Sequence, residues 1–237
     1  FHTEFGPFTG GFVHARPGDI EDLYRLAESY DCCAVMLETI QGEGGINVLD
    51  REYVRAAWEL CQKLDMLLIV DEVQTGNGRT GKLYSYMHYD ITPDIVTTAK
   101  GLAGGLPMGA TLFGSRCADV LTPGSHGSTF GGNPVAAAGA VSIIERIDDT
   151  LLEAVIQKEQ LVRAALADAS GVIGVSGRGL MLGIQCEKKA GDIMSRAAEE
   201  GVLVLTAKDK VRLLPALNIP DDLLLEAMEI LKRVIAE

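Results

Sequence analysis

The segment "MLLIVDE" (66–72) constrains the fold most: five apolar residues in succession stop abruptly at two carboxylates. A short run that is apolar at every position, not at alternate ones, suits a strand buried on both faces, as in a parallel sheet. Two other segments repeat the design. "CCAVMLE" (32–38) runs into the glycine-rich "TIQGEGG", and "DIVTTAK" (94–100) runs through Lys100 into "GLAGG". Helical spacing separates the first two. Asp19 is placed to cap a helix with Leu23, Leu26, Ala27 and Tyr30 on one face, and Asp50 a helix with Val54, Ala57, Cys61 and Leu64. The alternation predicts an α/β fold: a mostly parallel sheet covered on both faces. Ligands of such sheets sit beyond the carboxyl ends of the strands. That edge receives Glu38 to Glu43, Asp71 to Gln74, and Lys100.

Downstream, "GLPMGATLFGS" reads as a turn and strand, and "HGSTFGGNP" as a loop before a helix opening at Pro134. The character changes after about residue 146, where the helix pattern Leu151, Leu152, Val155, Val162, Leu166 begins. "VIGVSGRGLMLGIQC" resembles two strands joined by a glycine turn. A helix near 191–200, strands "VLVL" (202–205) and "VRLLP" (211–215), and a helix over 221–236 complete a smaller α+β unit. The expected division is 1–146 for the larger unit and 147–237 for the smaller.

A formal charge of −12 with no Lys/Arg cluster argues against nucleic acid and for small-molecule partners. Five cysteines, odd in number and without C-x-x-C spacing, argue against zinc or disulfides and for buried thiols in a reducing, cytoplasmic setting. No apolar run approaches the roughly 18 residues of a membrane span, and no signal peptide is apparent, so neither a membrane nor an export role is expected. "FHTEFGPFTGG" lacks an initiator Met and starts within a loop, which suggests part of a longer chain.

An Asp at a strand end is most often a cap or turn residue, and a lone Lys is most often solvated. Together at one sheet edge they allow more. A carboxylate can hold a neighbouring cation protonated, and an amine in a cleft can serve Schiff-base chemistry. This pair is what pyridoxal phosphate chemistry requires. Spacing alone leaves a nucleotide-binding α/β domain open as well, although no G-x-G-x-x-G follows a strand.

Four stretches carry a resemblance: "ETIQGEGG", "LLIVDEVQTGNGRTGKLYSY", "PDIVTTAKGLAGGLPMGA" and "HGSTFGGNPVAAAGA". Together they resemble the class III (ω-) aminotransferases of pyridoxal phosphate fold type I, and within them the acetylornithine branch, over the whole chain. The resemblance implies pyridoxal 5'-phosphate as cofactor, Lys100 as the Schiff-base lysine and Asp71 as partner of the pyridine nitrogen. Val73 would pack under the ring and Gln74 would hydrogen-bond its hydroxyl. Thr129, with Ser128, would reach the phosphate of a neighbouring subunit's cofactor, which makes a homodimer with shared sites. Glu43 would switch the site between an amine donor and a dicarboxylate. The implied reaction moves the terminal amino group of N-acetylornithine to 2-oxoglutarate; ornithine, succinylornithine, GABA or another ω-amine are the alternatives, as is a catalytically incompetent fragment. Gly104, Gly105, Gly131 and Gly132 read as turn residues, Asn133 and Pro134 as a helix start, and Glu38 and Glu72 as structural or functional.

Two departures stand out. The family arginine of the "x-R-G-x-G" turn, implied to bind the substrate carboxylate, is replaced by Ser176, and Arg178 is the candidate substitute. The family's N-terminal portion, with its phosphate turn and stacking aromatic, is also absent, so this chain alone is expected to hold the cofactor weakly.

Overall fold

The computed structural model describes residues 4–237. The reading of "FHTEF" as a loop falls partly outside those residues; from 4 to 18 the chain forms neither helix nor strand. The first elements are α1 (Ile20–Ser29), β1 (Ala34–Leu37), β2 (Ile40–Gln41), β3 (Asn47–Val48), α2 (Arg51–Lys63) and β4 (Leu67–Asp71). Then come β5 (Ile95–Thr98), β6 (Ala110–Phe113) and α3 (Pro134–Ile144). β1, β4 and β5 pair in parallel, and β6 adds an antiparallel edge, in the order β1-β4-β5-β6.

Capping explains where the helices start. Asp19 accepts from the Asp22 N–H at 2.9 Å. Asn133 Oδ1 accepts from Val135 and Ala136, ahead of a proline that has no N–H to satisfy. Asp50 occupies the N-cap of α2 without a side-chain cap bond. Val54, Ala57 and Cys61 on α2 are fully buried against Leu68 and Val70 of β4, with Leu23 of α1 joining them. Each fully buried Val or Leu among them contributes about 1.5–3 kcal/mol through burial. Leu64, expected on that face, ends the helix and is exposed.

Among the described residues, the sheet is covered by helices on one face. Along β4, Leu68 and Val70 are buried while Leu67, Ile69 and Asp71 are only half-buried. Pleating puts residues i and i+2 on the same side, so Asp71 stands on the open face. Of the five thiols, all free, Cys61, Cys117 and Cys186 are buried, Cys32 is half-buried and Cys33 is exposed.

The remaining elements are α4 (Asp149–Leu166), β7 (Val172–Arg178), β8 (Met181–Cys186), α5 (Ala190–Glu199), β9 (Leu205–Ala207), β10 (Lys210–Leu213) and α6 (Asp221–Ala236). They form an antiparallel sheet in the order β7-β8-β10-β9. Val162 and Leu166 of α4, Ile193 of α5 and Leu231 of α6 bury one of its faces over Leu182, Ile184 and Val211. The strand read at 202–205 lies three residues further on. The two-residue turn Lys208–Asp209 pairs Ala207 with Lys210, and turn length sets the register.

"TIQGEGG", read as a loop, folds into the β2–β3 hairpin. Ile40 and Ile46 of the hairpin pack on Met181 and Ala207, covering the second face of the C-terminal sheet. Ile46 adopts φ +52°, a conformation that costs a β-branched residue about 1–2 kcal/mol; its complete burial offsets this.

Arg79 makes a second connection between the N- and C-terminal parts. Its Nη1 donates to the carbonyls of Leu180 (3.1 Å) and Pro215 (2.5 Å), and its own carbonyl accepts from the Leu180 N–H. Gly179 permits this approach: a Cβ there would lie 2.5 Å from the Arg79 carbonyl oxygen. Burial alone pulls the Arg79 guanidinium down to about 10. Replacing Arg79 by Leu leaves two carbonyls without their donor and should cost about 2–3 kcal/mol in urea unfolding. A loss below about 0.5 kcal/mol, the range of ordinary surface substitutions, would show that the clasp contributes nothing.

Candidate functional site at the carboxyl edge of the parallel sheet

Asp71 is the last residue of β4, paired in register with Thr97 of β5. Its Oδ1 accepts from the Val73 N–H at 2.9 Å and from Thr97 Oγ1 at 3.0 Å. Both bonds fall on one oxygen. The carboxylate is thereby oriented while Oδ2 stays available to a cation or protonated ring nitrogen.

Glu72 points the other way and is fully buried. It accepts from Thr75 Oγ1 (2.5 Å) and from the N–H groups of Ser85 (2.9 Å) and Tyr86 (2.8 Å). These bonds fold the 72–86 loop back against the strand end. Burial pushes the Glu72 carboxyl above its usual range, with the three donors pulling the other way. Glu72 is a structural residue, so the acidic pair divides: one carboxylate builds the loop and one faces outward.

Gln74 reaches across to the hairpin, where its Nε2 donates to Glu43 Oε1 at 2.9 Å. Its Oε1 is buried with no partner among the described residues. Gly42 leaves room for this amide, since a Cβ there would overlap Gln74 Oε1. Glu43 also pairs with Arg212 Nη1 at 2.6 Å. Arg212 and Gln74 hold the Glu43 carboxyl below the usual carboxylate range. The arginine side chain is 9% exposed and the glutamate 57%. One partner is buried and the other reaches solvent.

Glu38 lies in the same electrostatic neighbourhood. Burial pushes its carboxyl upward, and the Gly42 N–H, 3.0 Å away, pulls it down. Asp71 and Glu43 raise it further, whereas Lys100 lowers it. Lys100 does not end β5. It opens a short 3-10 turn, Lys100–Ala103, two residues past the strand, with φ +50° and an exposed side chain.

The expected residues thus divide. Asp71 accepts from Val73 and Gln74 donates to Glu43, as two separate pairs, and Lys100 stands two residues past the neighbouring strand. Ser128 and Thr129 are exposed in the loop ahead of α3, outside those pairs. Arg178 stacks over the Tyr89 ring, 5.7 Å from its centroid, and the arginine that meets Glu43 is Arg212. Arg212 was missed, as was Thr97. The signal for Arg212 was present in "VRLLP", where a lone cation interrupts an otherwise apolar strand.

These residues fit the group implied by the resemblance. A buried amide oxygen without a donor suits a ring hydroxyl, and a carboxylate with one free oxygen suits a pyridinium N–H. Residues 2–235 match the family described as Aminotransferase class-III. The chain belongs to the class III aminotransferases.

Among its relatives, the acetylornithine aminotransferase of Haemophilus ducreyi is 44% identical over 239 residues, covering all of this chain and 61% of the relative. That of Bacillus subtilis is 43% identical, covering 99% and 62%. Among solved structures, an ornithine aminotransferase from Toxoplasma gondii superposes with a TM-score of 0.91 at 33% identity, over 99% of this chain and 57% of that one. An N-acetylornithine aminotransferase from Stenotrophomonas maltophilia gives 0.89 at 37%, over 97% and 63%. The chain therefore spans about three fifths of the curated relatives it matches. Together with these neighbours, the largely parallel sheet identifies the fold as part of fold type I.

Glu72→Ala strands two backbone N–H groups and a hydroxyl, and should lower unfolding free energy by about 2–4 kcal/mol. A urea midpoint within experimental error of wild type would refute the structural role given to Glu72.

Proposed function

We propose that this chain carries the catalytic and C-terminal part of a pyridoxal phosphate-dependent ω-aminotransferase, with units at 1–146 and 147–237. The parent protein would move the terminal amino group of N-acetylornithine to 2-oxoglutarate. The observation that carries this reading is the delivery of Asp71 and Lys100 to one edge by adjacent parallel strands, together with a buried Gln74 oxygen that has no partner among the described residues. When bound, the cofactor supplies an aldehyde for the amine and a ring that withdraws electrons from the substrate carbon.

Each residue then has a task. The Asp71 carboxylate would favour a proton on the cofactor's ring nitrogen. Gln74 Oε1 would accept from the ring hydroxyl, and Val73 would pack against the ring. Lys100 Nζ would hold the cofactor through its aldehyde carbon and, once displaced by the substrate amine, would be the group placed to take up and return a proton. Arg212 is the fixed anchor for a carboxylate. While Glu43 pairs with it the charge is cancelled and the site accepts a neutral chain. When the exposed Glu43 swings away, a dicarboxylate such as 2-oxoglutarate can take its place. Ser128 and Thr129 are assigned to a second subunit's phosphate in a homodimer; the neighbouring Phe130, 84% exposed, suits burial in such an interface.

The ornithine aminotransferases among the structural neighbours favour ornithine as the alternative donor. Comparing amine half-reaction rates decides between the two. The reading as an incompetent fragment predicts no transfer by the protein under any of these conditions.

Borohydride reduction in the presence of pyridoxal phosphate should place a single phosphopyridoxyl label on Lys100, and Lys100→Ala should lose both label and transfer. Label retained at another lysine with full turnover would overturn the assignment. Arg212→Met should raise the KM for 2-oxoglutarate by about 30- to 100-fold, the equivalent of one lost charge-assisted contact, and change the amine half-reaction only a few-fold. Equal loss in both half-reactions would contradict the role given to Arg212.

A further inference from the structure

The loop that follows Asp71 and carries Gln74 also carries Asn77, and Asn77 touches the other strand. Its Nδ2 donates to Thr98 Oγ1 and to the Ala99 carbonyl, each at 3.1 Å. The Ala99 carbonyl belongs to the peptide that leads into Lys100. The same oxygen accepts the Leu102 N–H at 3.1 Å, the bond that closes the 3-10 turn carrying the lysine. Lys100 has φ +50°, a left-handed conformation that non-glycine residues adopt at a cost. The orientation of the 99–100 peptide plane defines that φ, and so sets the direction in which the Lys100 Cα–Cβ bond leaves the backbone.

We propose that Asn77 is a positioning residue for Lys100: its amide clamps the Ala99–Lys100 peptide and keeps the lysine in the left-handed conformation that presents Nζ to the cofactor aldehyde. This rests on the assignment of Lys100 as the cofactor lysine. Three features point the same way. Asn77 is 8% exposed, and its Oδ1 is buried without a partner among the described residues. An apolar side chain would fill the same space without stranding a polar atom, so packing does not account for an amide here. Asn77 itself has φ +55°, a region in which asparagine is enriched among non-glycine residues. Finally, the clamp runs from the loop after β4 to the residue after β5. It ties the Asp71 side of the site to the Lys100 side at a point where the ladder of those two strands has already ended.

The substitutions that isolate the amide are Asn77→Gly, which tolerates the left-handed backbone, and Asn77→Asp, which keeps the shape but removes the donor. Two readouts on the intact protein separate positioning from stability. Hydrogen exchange of the 99–104 backbone, measured without cofactor, should accelerate about 5- to 10-fold in both variants, as expected for one lost hydrogen bond, with the β4 and β8 amides unchanged. The rate of borohydride-trapped labelling at Lys100, in which the amine adds to the aldehyde carbon with loss of water before hydride fixes the bond, should fall by a similar factor. Acceleration spread evenly over every segment would make Asn77 a stability residue and overturn the proposal. Unchanged exchange and labelling in both variants, with wild-type label at Lys100, would overturn the proposal alone. A wild-type protein that takes no label at Lys100 overturns the cofactor assignment and the proposal with it.

Discussion

The parallel register of β4 against β5 is the constraint on which the site depends. Asp71 opposite Thr97 sets where the carboxylate stands, and the hydroxyl of that partner holds one of its oxygens. Two residues past the end of β5 the chain turns into Lys100. A register slip of one residue would send Asp71 to the helix-covered face, among Leu68, Val70 and α2. The apolar pattern of β4 resists such a slip, because it would bury a carboxylate where Val70 now lies. Core packing and site geometry are therefore fixed by the same alternation.

A second constraint joins the two sheets. The β2–β3 hairpin leaves the carboxyl end of β1 and buries Ile40 and Ile46 against the C-terminal sheet. That packing brings Glu43 to Arg212, which comes from β10, 169 residues later in the chain. Arg79 reinforces the junction by donating to carbonyls next to β7–β8 and after β10. The Glu43–Arg212 pair is thus built at an interface between two cores. Its more exposed member, Glu43, sits on the hairpin and its buried member, Arg212, in a strand.

Most of the fold was legible because its strands are apolar runs bounded by glycine and its helices carry capping residues. The missed parts depend on contacts that no local period records. The hairpin has two-residue strands, too short for alternation to register, and β9 takes its position from a turn at Lys208–Asp209. Covering helices were expected on both sides of the sheet from the continuous apolarity of β4, yet only Leu68 and Val70 are fully buried. In the site, Asp71 was legible as a candidate from its place at a strand end, while Gln74 was named by the resemblance and Lys100 stands two residues past β5. The choice between Arg178 and Arg212 was not: both lie in strands, and only packing puts one over Tyr89 and the other against Glu43. The division of labour between Asp71 and Glu72 was equally hidden, since adjacent residues on a strand point to opposite faces and the sequence does not say which face is open.

The central claim is that Asp71 keeps a cofactor ring nitrogen protonated at the carboxyl edge of this sheet. The most direct measurement is the nitrogen-15 NMR shift of pyridoxal phosphate labelled at its pyridine nitrogen and bound to the protein near neutral pH. The account predicts a protonated nitrogen in the wild-type protein and an unprotonated one in Asp71→Ala. An unprotonated nitrogen in wild type, or a protonated one that survives the substitution, would contradict it.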